Sequence, residues 1–291
     1  MKIAKTVDEL RRWSRAARLS GQSVGLVPTM GALHEGHLSL VRAARGRGDS
    51  VAASIFVNPK QFGQNEDFDR YPRTFEADCA QLEAEGVEML FAPEPAEMYR
   101  PGSCTFVEVE GLSGRLDGAS RPGHFRGVAT VVAKLLLAAE ADRAYFGQKD
   151  AVQVSVLRQM VADLAQPVEL VICPIVRDAD GLALSSRNRY LSAEERVEAL
   201  ALSRALQVAL RLFAEGERSG AALVAAMERE MTASGRIRLD YVAVVDWATL
   251  LPVERAVAGS LAAVAGWVGE TRLIDNAILG NAIPGAAPEK N

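Results

Sequence analysis

An apolar run that stops at a proline–glycine turn and resumes at helical spacing constrains this chain most. Val24-Gly25-Leu26-Val27 runs into Pro28-Thr29-Met30-Gly31. His34-Glu35-Gly36-His37 follows, then Leu38, Leu40, Val41 and Ala44. The order predicts a buried strand, a tight glycine turn and a helix beginning near His34. On that helix His34 and His37, three apart, share one face. A helix N-terminus carries backbone N–H groups without helical partners and the positive end of the dipole. Such a turn suits a phosphate. Neutral imidazole donates one hydrogen bond and imidazolium two, so both histidines are fit to stabilise charge developing on a phosphate. Gly31, Ala32 and Gly36 let a ligand approach the backbone closely. The plainer reading of an H-x-x-H pair is a surface feature or half of a metal site. Zinc needs further ligands, and the remaining histidine, His124, and the cysteines Cys79, Cys104 and Cys173 are dispersed. Metal coordination through this pair is therefore not expected.

The 291 residues suffice for one large domain or two ordinary ones. At 49% hydrophobic and 24% charged the chain is globular rather than disordered. A net charge of -4 gives no reason to expect a nucleic-acid partner, and no basic stripe with interleaved aromatics occurs. Three scattered cysteines fit a reducing cytoplasm rather than a disulfide framework. The N-terminal MKIAKTVDELRRWSRAA has acids and no apolar h-region, so a signal peptide is not expected. The longest apolar stretch, Gly127 to Ala139, is interrupted by Lys134 and is too short to span a membrane.

Thr6 and Glu9 form a capping-box signature ahead of a first helix. Further strands are predicted at Val51–Val57, Val87–Phe91, Ala144–Phe146 and Val168–Cys173, with a short extra one at Thr105–Val109. Strands alternating with helices predict an α/β domain with a parallel sheet. The texture changes near Val176. Beyond it come helices over Ser192–Glu215 and Ala221–Ala233, and strands at Ile237–Val245, Leu261–Val268 and Arg272–Leu279, a smaller α+β segment. The expected division is 1–176, 177–282 and a frayed tail over 283–291.

Polar clusters fall where strands of the first domain give way to helices, the edge at which open α/β sheets bind ligands. They are Thr29–His37, Asn58–Gly63, Gly147–Gln153 and Leu184–Arg187. Neither G-x-G-x-x-G after a strand nor G-x-x-x-x-G-K-[ST] is present, so a nucleotide must be held differently. Lys149 is a candidate point charge for phosphate, or an ordinary helix start with Asp150. Ser185, Ser186 and Arg187 form a second candidate clamp, or a surface turn. Asp150 is placed to reach a magnesium ion. Gln61 and Gln153 are site amides or solvated ones, Arg121 and Arg126 read as surface charges, and His124 as structural.

Taken together, these segments resemble the pantothenate synthetase (pantoate–β-alanine ligase) family. The similarity rests on Pro28 to His37, Phe56-Val57-Asn58-Pro59 with Gln61-Phe62, and Tyr71-Pro72-Arg73-Thr74. It continues with Arg121 to Gly127, Phe146-Gly147 with Lys149-Asp150, and Leu184-Ser185-Ser186-Arg187-Asn188. Each motif alone is weak; six in one order are specific. The resemblance implies a Rossmann-like domain of the nucleotidylyltransferase type with a smaller C-terminal domain, and a cytoplasmic homodimer. It implies ATP- and magnesium-dependent joining of pantoate to β-alanine through a pantoyl adenylate, with release of AMP and diphosphate. It places ATP on Met30, Gly31, Ala32, Leu33, His34, Glu35, Gly36 and His37. Gly147, Gln148, Lys149, Asp150, Val176, Leu184, Ser185, Ser186 and Arg187 would complete that site. His34, His37 and Lys149 take the catalytic roles, His37 as proton donor. Gln61 and Gln153 hold pantoate, and Gln61 lies near β-alanine. Asp78 and Gln81 match magnesium positions of some members.

Two positions depart from the family pattern. Gln148 stands where glutamate is common, and Val152 replaces the first of two adjacent glutamines. An adenylyltransferase of the same superfamily would carry the histidine turn equally well. A non-catalytic nucleotide-binding regulator would be expected to lack His37 or Lys149. No cysteine or serine sits in a nucleophile motif, and positioning two small substrates in sequence is the main task. The irregular Gln64–Thr74 stretch is the candidate lid.

Overall fold

The strand–turn–helix unit of the histidine segment is the centre of the first sheet. In the computed structural model, which describes residues 1–64 and 66–281, β2 (Val24–Thr29) is buried and passes through a turn at Gly31 into α2 (Glu35–Gly46). Gly31 has φ +81°, a backbone that other L-residues adopt rarely. Around this unit lie β1 (Lys2–Ala4), α1 (Val7–Leu19), β3 (Ser50–Ile55), α3 (Phe75–Ala84), β4 (Met89–Phe91), α4 (Pro95–Met98), α5 (Asp117–Ser120), α6 (His124–Ala139) and β5 (Arg143–Gly147). They are followed by α7 (Ala151–Asp163) and β6 (Glu169–Cys173). The sheet order is β1-β4-β3-β2-β5-β6 and every pairing is parallel. From β2 the chain order runs outward through β3 to β4, with β1 added at the edge, and from β5 it runs outward to β6, so the topological switch lies between β2 and β5. Val27, Leu33, Val41, Ala44, Val51, Ala53, Leu82 and Leu90 form one core on this sheet.

The expected capping box is present: Thr6 Oγ1 accepts from Glu9 N–H, and Glu9 carboxylate accepts from Thr6 N–H. Thr105–Val109 is not a strand. The Val107 N–H is taken by Thr130 Oγ1 on α6 at 2.9 Å, so this side chain replaces a ladder partner there.

By its contacts the chain forms two units. The first comprises 1–147 and 156–173, the second 148–155 and 174–291. The break after Cys173 falls three residues before the expected boundary at Val176, and the first residues of α7 group with the C-terminal unit. They do so through Ser155 Oγ, which donates to Trp247 O at 2.6 Å, and Trp247 Nε1, which donates to Ala151 O at 3.0 Å. The second unit contains α8 (Ala193–Ala214), α9 (Gly220–Thr232), β7 (Ile237–Val245), β8 (Leu261–Val268) and β9 (Thr271–Ile278), in a three-stranded antiparallel sheet of order β7-β8-β9. Its core gathers Leu202, Leu206, Leu223, Met227, Val264 and Leu273. The expected frayed tail, 283–291, lies outside the described residues.

Candidate active site

His34 is the N-cap of α2, with extended backbone (φ −144°, ψ 174°). Its Nδ1 accepts the Gly36 N–H at 3.2 Å, and His37 Nδ1 accepts the His34 N–H at 3.3 Å. Both Nδ1 atoms therefore carry lone pairs, and in the neutral rings the proton sits on Nε2. The rings lie 4.1 Å apart with a 37° tilt. Both rings sit at the N-terminal, positive end of a helix.

The preceding backbone is held by a carboxylate. Asp78 on α3, 1% exposed, accepts Leu33 N–H on Oδ1 and Ala32 N–H on Oδ2, each at 2.9 Å, and the Thr74 hydroxyl on Oδ1 at 3.1 Å. Ala32 has φ +50°, strained for a non-glycine. The Ala32 and Leu33 N–H groups are thus bonded to Asp78, and their side chains are buried. Asp78, which the resemblance also makes a magnesium position, anchors the turn. The Glu35 carboxylate pairs with Arg42, which lowers its pKa.

Beyond β3, Asn58 caps a 3-10 turn at Pro59–Gln61. Asn58 is 1% exposed and its amide is fully engaged. Oδ1 accepts from Tyr99 Oη at 2.8 Å and Lys60 N at 3.2 Å; Nδ2 donates to Gln61 Oε1 at 3.0 Å and Gly127 O at 3.1 Å. Gln61 is therefore oriented with Oε1 inward and Nε2 toward Met30, 3.1 Å from its Sδ. An amide presented by its N–H edge suits a carboxylate or hydroxyl oxygen. Burial pushes Tyr99 up to about 12, against the hydrogen bond to Asn58, so it stays a donor. Sequence reading places Asn58 in the loop but misses its orienting role. The Asn-Pro pair is the available signal; Tyr99, 41 residues away, leaves none.

In the second unit, Gln148-Lys149-Asp150 forms a 3-10 turn ahead of α7. Asn276 on β9 fixes it: Nδ2 donates to the carbonyls of Gln148 (3.0 Å) and Lys149 (2.8 Å), and Oδ1 accepts from Gln148 Nε2 (3.1 Å). Lys149 Nζ lies 3.5 Å from Asp150 Oδ1. Gln148, unlike glutamate, is able to donate in this arrangement. Val152 is 2% exposed, an apolar site where a glutamine would need a buried partner, and Gln153 beside it is half-buried. Leu184 N–H donates to Val176 O at 3.0 Å across a turn bridged at Arg177 and Ala183, so these two expected residues are neighbours. Ser185 caps the following 3-10 turn through Arg187 N–H at 3.3 Å, with Ser186 and Arg187 inside it.

A parallel sheet that gathers hydrogen-bond donors where its strand order reverses defines a class, the α/β enzymes that hold anionic ligands beyond the carboxyl ends of their strands. Within that class the comparisons agree. The family model described as pantoate-beta-alanine ligase matches residues 2–278. The chain is 60% identical to the pantothenate synthetase of Acidobacterium capsulatum, covering 96% of this chain and 97% of that one. It is 54% identical to that of Thermotoga neapolitana, over 96% and 100%. The crystal structure of pantothenate synthetase from Thermus thermophilus superposes with a TM-score of 0.90 at 51% identity, covering 96% and 99%. The ligase from Francisella tularensis, complexed with Beta-gamma ATP and Beta-alanine, gives 0.77 at 31% identity, covering 96% and 97%. This chain belongs to the pantoate–β-alanine ligase family.

Proposed function

We propose that this chain condenses (R)-pantoate with β-alanine at the expense of ATP, through a pantoyl adenylate, releasing AMP and diphosphate. The observation that carries the reading is the family match over residues 2–278. The chemistry is consistent with it. A carboxylate is a poor acyl donor. Attack of a pantoate carboxylate oxygen on the α-phosphorus forms a P–O bond and expels diphosphate. The β-alanine amine then attacks the acyl carbon, the amide forms, the C–O bond to AMP breaks and the amine releases a proton. No protein nucleophile is required.

In this reading His34 and His37 donate Nε2–H to the phosphates, with His37 nearest the developing charge as proton donor. Lys149 supplies a positive charge to the same group, and Ser185, Ser186 and Arg187 hold ATP further along. Gln61 donates its Nε2–H to pantoate and lies near the β-alanine position; Gln153 provides the second pantoate amide. Magnesium enters as the counter-ion of ATP, since this ion is commonly held by one or two carboxylates plus substrate phosphates. Asp150 is the carboxylate we assign to it, because Asp78 is engaged by backbone N–H groups. We further propose a homodimer, which sedimentation of the purified protein tests. A reducing, cytoplasmic setting is consistent with Cys79, Cys104 and Cys173, all unpaired.

The test is AMP release from ATP, magnesium and pantoate, with and without β-alanine. Release that requires β-alanine, and that falls about 10²–10³-fold in folded His37→Ala and Lys149→Ala proteins, supports the reading. Absence of AMP formation by well-folded wild-type protein overturns it.

A further inference from the structure

His124 stands outside the roles assigned above, yet its two ring nitrogens are both engaged. Nδ1 lies 2.8 Å from the Gln61 carbonyl oxygen, and Nε2 lies 3.0 Å from Arg121 Nη1. Arginine only donates, so Nε2 must accept and Nδ1 must carry the proton given to Gln61. Arg121 is fixed in turn. Its Nε and Nη2 donate to the two oxygens of Glu66 at 2.8 and 2.5 Å, a bidentate pair that leaves Nη1 for the imidazole. The tautomer of His124 is thus imposed from outside the ring.

The recipient of that proton is the main chain of the residue assigned to pantoate. Gln61 is held from its side chain by Asn58 and from its carbonyl by His124, both in contact with the start of α6. Packing there is close. A Cβ on Gly127 would lie 2.2 Å from Lys60 O and 2.7 Å from Gln61 Cα. A shift of the Gln61 carbonyl would therefore carry its amide away from the pantoate oxygen.

We propose that His124, fixed as its Nδ1–H tautomer by the Glu66–Arg121 pair, is a positioning residue for pantoate that acts through the Gln61 carbonyl. The inference rests on the pantoate role of Gln61 proposed above. It makes binding of one substrate depend on a histidine to which no substrate contact is assigned, so the signature is selective: the KM for pantoate moves, and the KM for ATP does not.

The experiment measures both KM values, kcat and the melting temperature for wild-type full-length protein and for Gln61→Ala, His124→Gln, His124→Asn and Arg121→Gln. Glutamine extends toward the Nε2 position and lacks the donor at Nδ1; asparagine places an amide N–H near Nδ1. The expected result is a roughly tenfold rise in pantoate KM for His124→Gln, about the loss of one hydrogen bond. Most of that loss is recovered in His124→Asn, a smaller rise is seen in Arg121→Gln, and ATP KM stays within about twofold throughout. If His124→Gln does not fold, Arg121→Gln against His124→Asn carries the same comparison. A pantoate KM raised by Gln61→Ala but unmoved by the His124 and Arg121 variants overturns the inference and leaves the Gln61 reading standing. So does a rise in both KM values together with a fall in melting temperature. A pantoate KM unmoved by Gln61→Ala overturns the Gln61 reading and the inference with it.

Discussion

At Asp78 one buried carboxylate accepts two backbone N–H groups and so determines the shape of the histidine turn. Asp78→Ala should leave the Ala32 and Leu33 N–H groups buried without partners, costing about 1–3 kcal/mol for each group left unsatisfied. It should raise the KM for ATP, and Asp78→Asn should recover part of both effects; denaturant unfolding and steady-state kinetics check this. A magnesium-ligand role predicts instead a loss that excess magnesium reverses. At Glu66, burial raises the pKa, but the hydrogen bonds and charge of Arg121 outweigh it, so the net shift is downward from the ordinary value of 4.5. A depressed folded-state carboxylate contributes stability that is present above the unfolded pKa and lost as pH falls through the folded one. The wild-type protein should therefore lose part of its stability below about pH 4.5 that an Arg121→Met protein has already lost, and melting curves from about pH 6 to about pH 3 should converge. His34 and His37 are legible in the sequence because three-residue spacing on a helix is a local fact. Asp78 is singled out in the sequence only through the family resemblance, as a magnesium position; its hold on the turn is not legible, since the groups it binds lie 45 and 46 residues away.

Among the elements, α6 shows how one missing side chain sets a contact. Gly127 lets the helix approach the Pro59–Gln61 turn so closely that a Cβ would overlap backbone atoms. Gly127→Ala should destabilise the protein by about 1–3 kcal/mol and raise the KM for pantoate, because the turn that must yield carries Gln61. Unfolding midpoints and pantoate titration read the two effects separately. The long α8 begins at a capping box, Ser192 with Glu195. Ser192→Ala should cost about 1 kcal/mol without changing either KM. Boundaries of this kind are readable because capping and glycine stops are local chemistry. The Thr105–Val109 segment departs from its pattern for the complementary reason: its residue types suit a strand, but the partner available to Val107 is a threonine side chain.

For the whole molecule, the relevant links join residues far apart in the chain. Asn276 holds the carbonyls of Gln148 and Lys149 across 128 and 127 positions. Asn276→Ala should release the turn, raise the KM for ATP several-fold and leave that for pantoate nearly unchanged. A kinetic comparison with Lys149→Ala checks it, the latter falling mainly in kcat. The amino-acid sequence by itself determined the alternation of strands and helices, the parallel sheet, the strands of the C-terminal segment, the histidine turn and the family. Each of these follows from periodicity, capping chemistry or an ordered set of short motifs, which are properties of neighbouring residues. Tertiary structure alone decided what each polar group faces. It sent Asp78 to a backbone turn, oriented Gln61 through Asn58 and Tyr99, fixed the tautomer of His124, and grouped the start of α7 with the C-terminal unit. A buried polar group must find a partner wherever the fold brings one, and no local pattern in the chain records where that partner is.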